Sequence, residues 1–245
     1  MKPYSAMVLA AGLGLRMRPL TDTQPKPMID VAGQPLIDWA LAHIAGAGVE
    51  RAVVNLHYLG EQIEAHLQHR TSPKITFSLE DPVLETGGGI EHALTLLGPD
   101  PFFACNSDGL WLDGAQNALT RLADAWQDRA MDGVLLLHDP ARAFGYDGPG
   151  DFNIVSDGKL TRRSDGHADT TDKTYVFTGV QLLHPRLFTE APGGVYSLNV
   201  LYDRALANGR LFGLVHDGEW FHVGTPEARD ETESWLIAHN LGVIS

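Results

Sequence analysis

The sequence predicts an α/β fold: a doubly wound, mainly parallel sheet with helices on both faces. Two observations predict it. Strand-like apolar runs alternate with amphipathic stretches through roughly the first 140 residues, the βαβα pattern of a helix-covered parallel sheet. The first apolar run, Ala6-Met7-Val8-Leu9-Ala10, also leads directly into a glycine-rich turn. Open α/β sheets gather binding loops at such strand carboxyl ends.

The elements follow in order. After the first strand, Ile37, Leu41 and Ile44 fall at i, i+4 and i+7, a helical stripe stopped by Gly46 and Gly48. Ala52–Leu56 reads as a strand, Ile63 and Leu67 as a short helix, and Ile75–Leu79 as the next strand. Ile90, Ala93, Leu94 and Leu97 form another stripe, Pro101–Cys105 a strand, and Leu119, Leu122, Ala123 and Trp126 a further helix before a strand at Gly133–Leu137. The second half is less regular. It offers strands near Phe152–Val155, Tyr175–Leu183, Leu211–Val215 and Glu219–Val223, with Leu198, Leu201, Tyr202 and Ala205 on one helical face between them. Thr225-Pro226 places a capping residue before proline at the first helical position, opening a last helix that runs to about Asn240. Ala141–Gly150 and the polar run Arg162–Lys173 read as surface loops and not as a domain boundary.

The 245 residues suffice for one α/β domain with a sizeable core, and no linker, repeat or low-complexity segment divides them. No apolar stretch approaches the roughly 20 residues of a membrane span, and no signal peptide opens the chain, so a cytoplasmic protein without a membrane partner is expected. Cys105 is the single cysteine, which excludes intrachain disulfides and thiolate zinc clusters. A net charge of −13 argues against a nucleic-acid partner, which would want a basic face.

Against that acidic background, Leu9-Ala10-Ala11-Gly12-Leu13-Gly14-Leu15-Arg16 stands out, followed by Arg18 and by Lys26 between two prolines. Gly12 and Gly14 let bare N–H groups approach a ligand, and Arg16, Arg18 and Lys26 supply cations for a polyphosphate. A dinucleotide fingerprint is excluded by Met17, and no Walker sequence is present. Glu85-Thr86-Gly87-Gly88-Gly89, ahead of the Ile90–Leu97 stripe, offers close backbone approach and unpaired N–H donors. Asn106-Ser107-Asp108 follows a buried strand, placing a hard carboxylate where magnesium takes one or two protein ligands plus substrate phosphates. Asp113, nearby, reads as a solvated loop residue, and His57, His138 and Trp39 as packing or loop residues.

The run from Leu9 to Thr21 with Pro25-Lys26-Pro27 resembles the signature of the sugar-1-phosphate nucleotidyltransferases, L-A-A-G-x-G-x-R-[ML]-x-P-L-T…P-K-P. The resemblance implies a Rossmann-like nucleotidyltransferase fold, with a nucleotide-binding half over about 1–140 and a sugar-binding half over about 141–245. It implies metal-dependent transfer of a nucleotidyl group from a nucleoside triphosphate to a sugar 1-phosphate. Ala10, Ala11, Gly12, Gly14, Arg16 and Lys26 would then hold the triphosphate, and Glu85, Thr86, Gly87, Gly88 and Asn106 the nucleoside. Arg16, Lys26 and Asp108 would carry catalysis. The spelling E-T-G-G-G-I is similar to a subgroup that uridylylates N-acetylmuramate 1-phosphate in peptidoglycan recycling. Gly150-Asp151-Phe152 and Thr178-Gly179-Val180 resemble its G-D-F and S-G-I, which with Asn106 would face the sugar. Guanylyl or thymidylyl transfer to mannose-, glucose- or heptose-1-phosphate, a phosphocholine-type acceptor, and a non-catalytic nucleotide-sugar binder stay open beside it.

One departure stands out. The family writes W-x-D-x-G-T, its aspartate being the second metal ligand with Asp108, whereas this chain reads Trp220-Phe221-His222-Val223-Gly224-Thr225. Imidazole suits manganese, cobalt or zinc better than magnesium. Either His222 ligates a softer ion, or it stands near an Mg2+ held by Asp108 and phosphates, or activity is weakened.

Overall fold

The computed structural model describes residues 3–155, 157–163 and 173–241. Among the described residues, thirteen strands and six α-helices follow one another. The first part runs β1 (Ser5–Leu9), β2 (Asp30–Val31), β3 (Gln34–Pro35), α1 (Leu36–Gly46), β4 (Arg51–Leu56), α2 (Gly60–Leu67) and β5 (Lys74–Leu79). It continues through α3 (Glu85–Leu97), β6 (Phe102–Asn106), β7 (Gly109–Leu112), α4 (Ala118–Ala125) and β8 (Gly133–His138). The rest comprises β9 (Phe152–Ile154), β10 (Leu160–Arg162), β11 (Thr174–Leu183), α5 (Asn199–Ala207), β12 (Leu211–Val215), β13 (Glu219–His222) and α6 (Pro226–Ala238).

Nine strands form one mixed sheet in the order β10-β9-β11-β6-β1-β4-β5, with β8 pairing β11 and carrying β12 on its other side. The segment β6-β1-β4-β5 is parallel throughout. β11 runs antiparallel to both β6 and β8, which is why the chain beyond residue 140 loses its simple alternation. β13 and β7 make a separate antiparallel pair that sets His222 opposite Gly109.

Successive residues of a strand face opposite sides of a sheet, and the core divides accordingly. Ala6 and Val8 join Ile37, Leu41, Ile44, Ile63, Leu67, Leu119 and Leu122 from α1, α2 and α4 on one face. Met7 joins Ile90, Ala93, Leu97, Leu201 and Tyr202 from α3 and α5 on the other. A third cluster, with Met17, Val31, Leu36, Phe221, Val223 and Leu236, packs α6 against the segment after the glycine loop. Among the described residues, no helix is long and apolar enough to cross a membrane.

Three sequence expectations change. The helix holding Ile90 begins at Glu85, so the glycine triplet lies inside its first turns and not ahead of it. Asp113 is not a solvated loop residue. Its carboxylate accepts from Ala118 N–H at 2.8 Å and from Asn117 Nδ2 at 3.1 Å, and lies 3.0 Å from His43 Nδ1, so it ties α1 to the start of α4. The last helix ends at Ala238, two residues short of Asn240. Most of the polar run after Arg162 lies outside the described residues.

Candidate active site

The parallel strands end side by side, and a cavity of about 470 Å³ opens over their carboxyl ends. Ala10, Ala11, Gly12, Gly14, Arg16 and Lys26 all line it, as do Glu85, Thr86, Asn106 and Asp108. Residues 10 to 108 thus meet in one space because β1 lies between β4 and β6.

The glycine loop is shaped for approach. Gly14 sits at φ +62°, and an added Cβ there would meet the Thr21 methyl at 2.9 Å and Lys26 Cβ at 3.1 Å. At Gly12 a Cβ would meet nothing within 4 Å, so no protein group requires its absence. The loop then closes into a short turn, Leu15–Met17, that leaves Arg16 exposed while Met17 is buried in the third core cluster.

Lys26 is buried, its backbone fixed between Pro25 and Pro27. Its Nζ donates to Asp108 Oδ2 at 2.9 Å. Burial pushes the Asp108 carboxyl up. The charge and hydrogen bond of Lys26, helped by His222, outweigh that and hold it below the usual carboxylate range. The site therefore presents an ionised carboxylate at neutral pH. Burial lowers the His222 imidazole; Asp108 opposes that, whereas Lys26 and Arg16 reinforce it, so the ring gives up its proton more readily than a free imidazole. Asp108 and His222 are close enough to feel each other's charge but line different cavities: His222 borders a second space of about 260 Å³. Arg16 and Gly224 border both.

Residues expected at the nucleoside and sugar separate on inspection. Gly87 and Gly88 do not reach the cavity, and their N–H groups are not free. Both donate to the Tyr196 carbonyl, at 3.0 and 3.2 Å. A Cβ on Gly87 would overlap the Tyr196 ring, and one on Gly88 the Gly194 carbonyl oxygen. Gly87 and Gly88 are glycine because the chain before α5 docks onto the first turn of α3 and satisfies N–H groups that a helix start leaves without partners, whereas a Cβ on Gly89 would meet Glu80 Oε1 at 2.5 Å. Phe152 is fully buried beneath Arg162 and cannot face a sugar. Asp151 Oδ2 accepts from Phe177 N–H at 2.8 Å, and Thr178 Oγ1 donates to the Leu136 carbonyl at 2.8 Å, so both side chains hold β11 in place. Gly179 acts through its neighbour Asn106. It sits at φ +83° in an irregularity of β11, where a Cβ would stand 2.7 Å from Asn106 Nδ2, so its absence makes room for the Asn106 amide that lines the cavity.

Sequence reasoning missed Asn55 and Glu80, both buried and both lining the cavity. Asn55 Oδ1 accepts from Ala10 N–H at 2.6 Å, its Nδ2 donates to Glu80 Oε1 at 2.6 Å, and Glu80 Oε2 accepts from Leu84 N–H at 2.8 Å. This chain of bonds ties the glycine loop to the entry of α3. The available signal was their position, since each is a polar residue at the carboxyl end of a parallel strand.

Residues 5–229, nearly the whole chain, match the nucleotidyl transferase family. The chain belongs to that family. Among its curated relatives is the N-acetylmuramate alpha-1-phosphate uridylyltransferase of Caulobacter vibrioides, 41% identical over 239 residues that cover 96% of this chain and 97% of the relative. The protein of the same name from Neisseria meningitidis serogroup B is 36% identical, covering 90% of this chain and 93% of the relative. The crystal structure of HddC from Yersinia pseudotuberculosis complexed with GMP-PN superposes with a TM-score of 0.74 at 20% identity, covering 95% of this chain and 99% of that one. That likeness shows the nucleotidyl transferase fold. Both cavities of this nucleotidyl transferase lie within the matched residues.

Proposed function

We propose that the protein transfers a uridylyl group from UTP to N-acetylmuramate 1-phosphate and releases pyrophosphate, serving peptidoglycan recycling in the cytoplasm. The Lys26–Asp108 pair, 2.9 Å apart on the wall of the glycine-loop cavity, carries the reading: it offers a fixed cation suited to a triphosphate beside an ionised carboxylate suited to a divalent ion. Full-length similarity to two proteins named for this reaction supports the choice of base and sugar.

In this reading a phosphate oxygen of the acceptor attacks the α-phosphorus of UTP in line. The new P–O bond forms as the bond from the α-phosphorus to the bridging oxygen breaks, and the electron pair leaves with pyrophosphate. The protein forms no covalent intermediate. Gly12 and Gly14 bring backbone N–H groups to the phosphates, Arg16 neutralises charge toward the leaving end, and Lys26 does so at the α-phosphate. Asn106, with the space left by Gly179, orients the acceptor. The Asn55–Glu80 bonds hold Ala10 in place while the base lies toward Glu85 and Thr86.

The donor set fits a divalent ion. Asp108 offers hard oxygen kept ionised by its surroundings, and magnesium needs only one or two such ligands when phosphates and water complete its shell. Bound there, the ion would neutralise charge shared by both reactants. His222 extends the choice to manganese if its ring turns toward Asp108.

The test is a pyrophosphate-release matrix of four triphosphates against several sugar 1-phosphates, run with Mg2+ and with Mn2+. UTP with N-acetylmuramate 1-phosphate is expected to give the highest kcat/KM. Failure of every UTP pairing would end the uridylyl reading.

A further inference from the structure

Two cation-capable groups converge where the cavities join. A methyl group built on Gly224 would stand 2.7 Å from His222 Nε2 and 3.5 Å from Arg16 Nη1, so both nitrogens flank one small space above that glycine. Among the described residues, Arg16 has no carboxylate partner and neither ring nitrogen of His222 has a hydrogen-bond partner. That contrasts with Arg121, Arg186 and Arg210, which meet carboxylates at 2.6, 2.7 and 2.9 Å. Arg16 is the arginine that lines both cavities, so its charge is open to an anion that enters them. His222 is held in place for it. Its ring packs edge-on to Tyr146, with centroids 6.4 Å apart, and beside Trp220 at 5.9 Å. Asp147, which also lines the second cavity, is exposed, where solvent screens its charge.

We propose that His222 and Arg16 form an oxyanion subsite over Gly224 that takes the pyrophosphate leaving group as it passes from the nucleotide cavity into the second cavity. The inference rests on the nucleotidyl-transfer reading. Arg16 belongs to the loop that lines the first cavity and also borders the second, so a leaving group passing Arg16 meets His222 next. A ring N–H of His222 can donate to a phosphate oxygen. This assigns the histidine to the departing anion, with Asp108 left to hold the divalent ion.

The experiment is calorimetric titration of the full chain with inorganic pyrophosphate, in metal-free buffer and again with Mg2+, for the wild type, His222→Ala and His222→Gln. His222→Ala is expected to weaken pyrophosphate binding about tenfold in both buffers, the size of one hydrogen bond to a charged group. His222→Gln, which keeps an N–H donor and guards against a folding artefact, is expected to retain most of the affinity. Unchanged pyrophosphate affinity in His222→Ala would overturn the proposal. So would a loss seen only with Mg2+, together with weakened Mn2+ binding by electron paramagnetic resonance, since that pattern belongs to a metal ligand. A third overturning result is a rise in KM confined to carboxylate-bearing acceptors with pyrophosphate binding intact. Because the titration uses neither UTP nor a sugar, failure of the uridylyl reading in the release matrix is scored separately.

Discussion

Lys26 Nζ donates to Asp108 Oδ2 across 82 positions of sequence, joining the loop before α1 to the residues after β6. The contact holds the Asp108 carboxyl ionised against its own burial. Lys26→Met removes both the charge that the proposed reaction uses at the triphosphate and the group that holds the Asp108 carboxyl low. A fall in kcat of about 100- to 1000-fold is expected, the scale of one lost electrostatic donor. Because the folded carboxyl lies below its ordinary value, the pair stabilises the fold at pH values above the ordinary carboxylate range. That contribution disappears as pH falls through the lowered value. Urea unfolding across a descending pH series should show the wild-type advantage over Lys26→Met shrinking toward acid; an advantage independent of pH would contradict the assigned interaction.

Asp108→Ala should abolish turnover while leaving circular dichroism close to wild type; the unfolding midpoint should fall, because the change breaks the Lys26 pair and leaves a buried ammonium without its partner. Chelation by EDTA should silence the wild-type enzyme in the same way, with activity returning on added Mg2+ or Mn2+. Turnover retained by Asp108→Ala would remove this residue from the metal site.

Two glycine substitutions separate ligand approach from packing. Gly12→Ala meets no protein atom within 4 Å, so stability should change by less than about 0.5 kcal/mol. Nucleotide affinity should fall about tenfold, as a backbone donor is pushed from a phosphate. Gly88→Ala has the opposite signature. Its methyl overlaps the Gly194 carbonyl, and the strain should cost about 1–3 kcal/mol. Denaturant midpoints together with UTP binding distinguish the two; a stable Gly88→Ala variant would contradict the docking of residues 193–196 onto α3.

Glu80→Ala strands the Asn55 amide and the Leu84 N–H, each buried or half-buried and each bonded to this carboxylate. A loss of about 1–3 kcal/mol is expected for a donor left unpaired, read as a lower melting temperature. Because Asn55 also holds Ala10 N–H, the KM for nucleotide should rise more than kcat falls. Equal effects on both would show that Glu80 acts through general stability and not through the glycine loop.

The sequence by itself determined the fold class and the glycine loop that lines the cavity. Both depend on local order: the period of Ile37, Leu41 and Ile44, the apolar run before Gly12, and cations at fixed spacing after Gly14. Spelling also placed Asn106 and Asp108, because a polar residue after a buried strand has one place to go in an open α/β sheet. Only the tertiary structure decided which glycines border the cavity and which are closed in by packing. Gly12 and Gly88 look alike in a string, yet one faces open space and the other is packed against a carbonyl from a segment more than a hundred residues later. The same holds for Phe152 and Thr178, whose environment comes from strands paired across the sheet. His222 shows it most plainly, for its identity raised a question about a metal, and its neighbours Arg16 and Gly224 were brought to it by the fold. Local pattern reports what a residue can do; long-range packing decides what stands next to it.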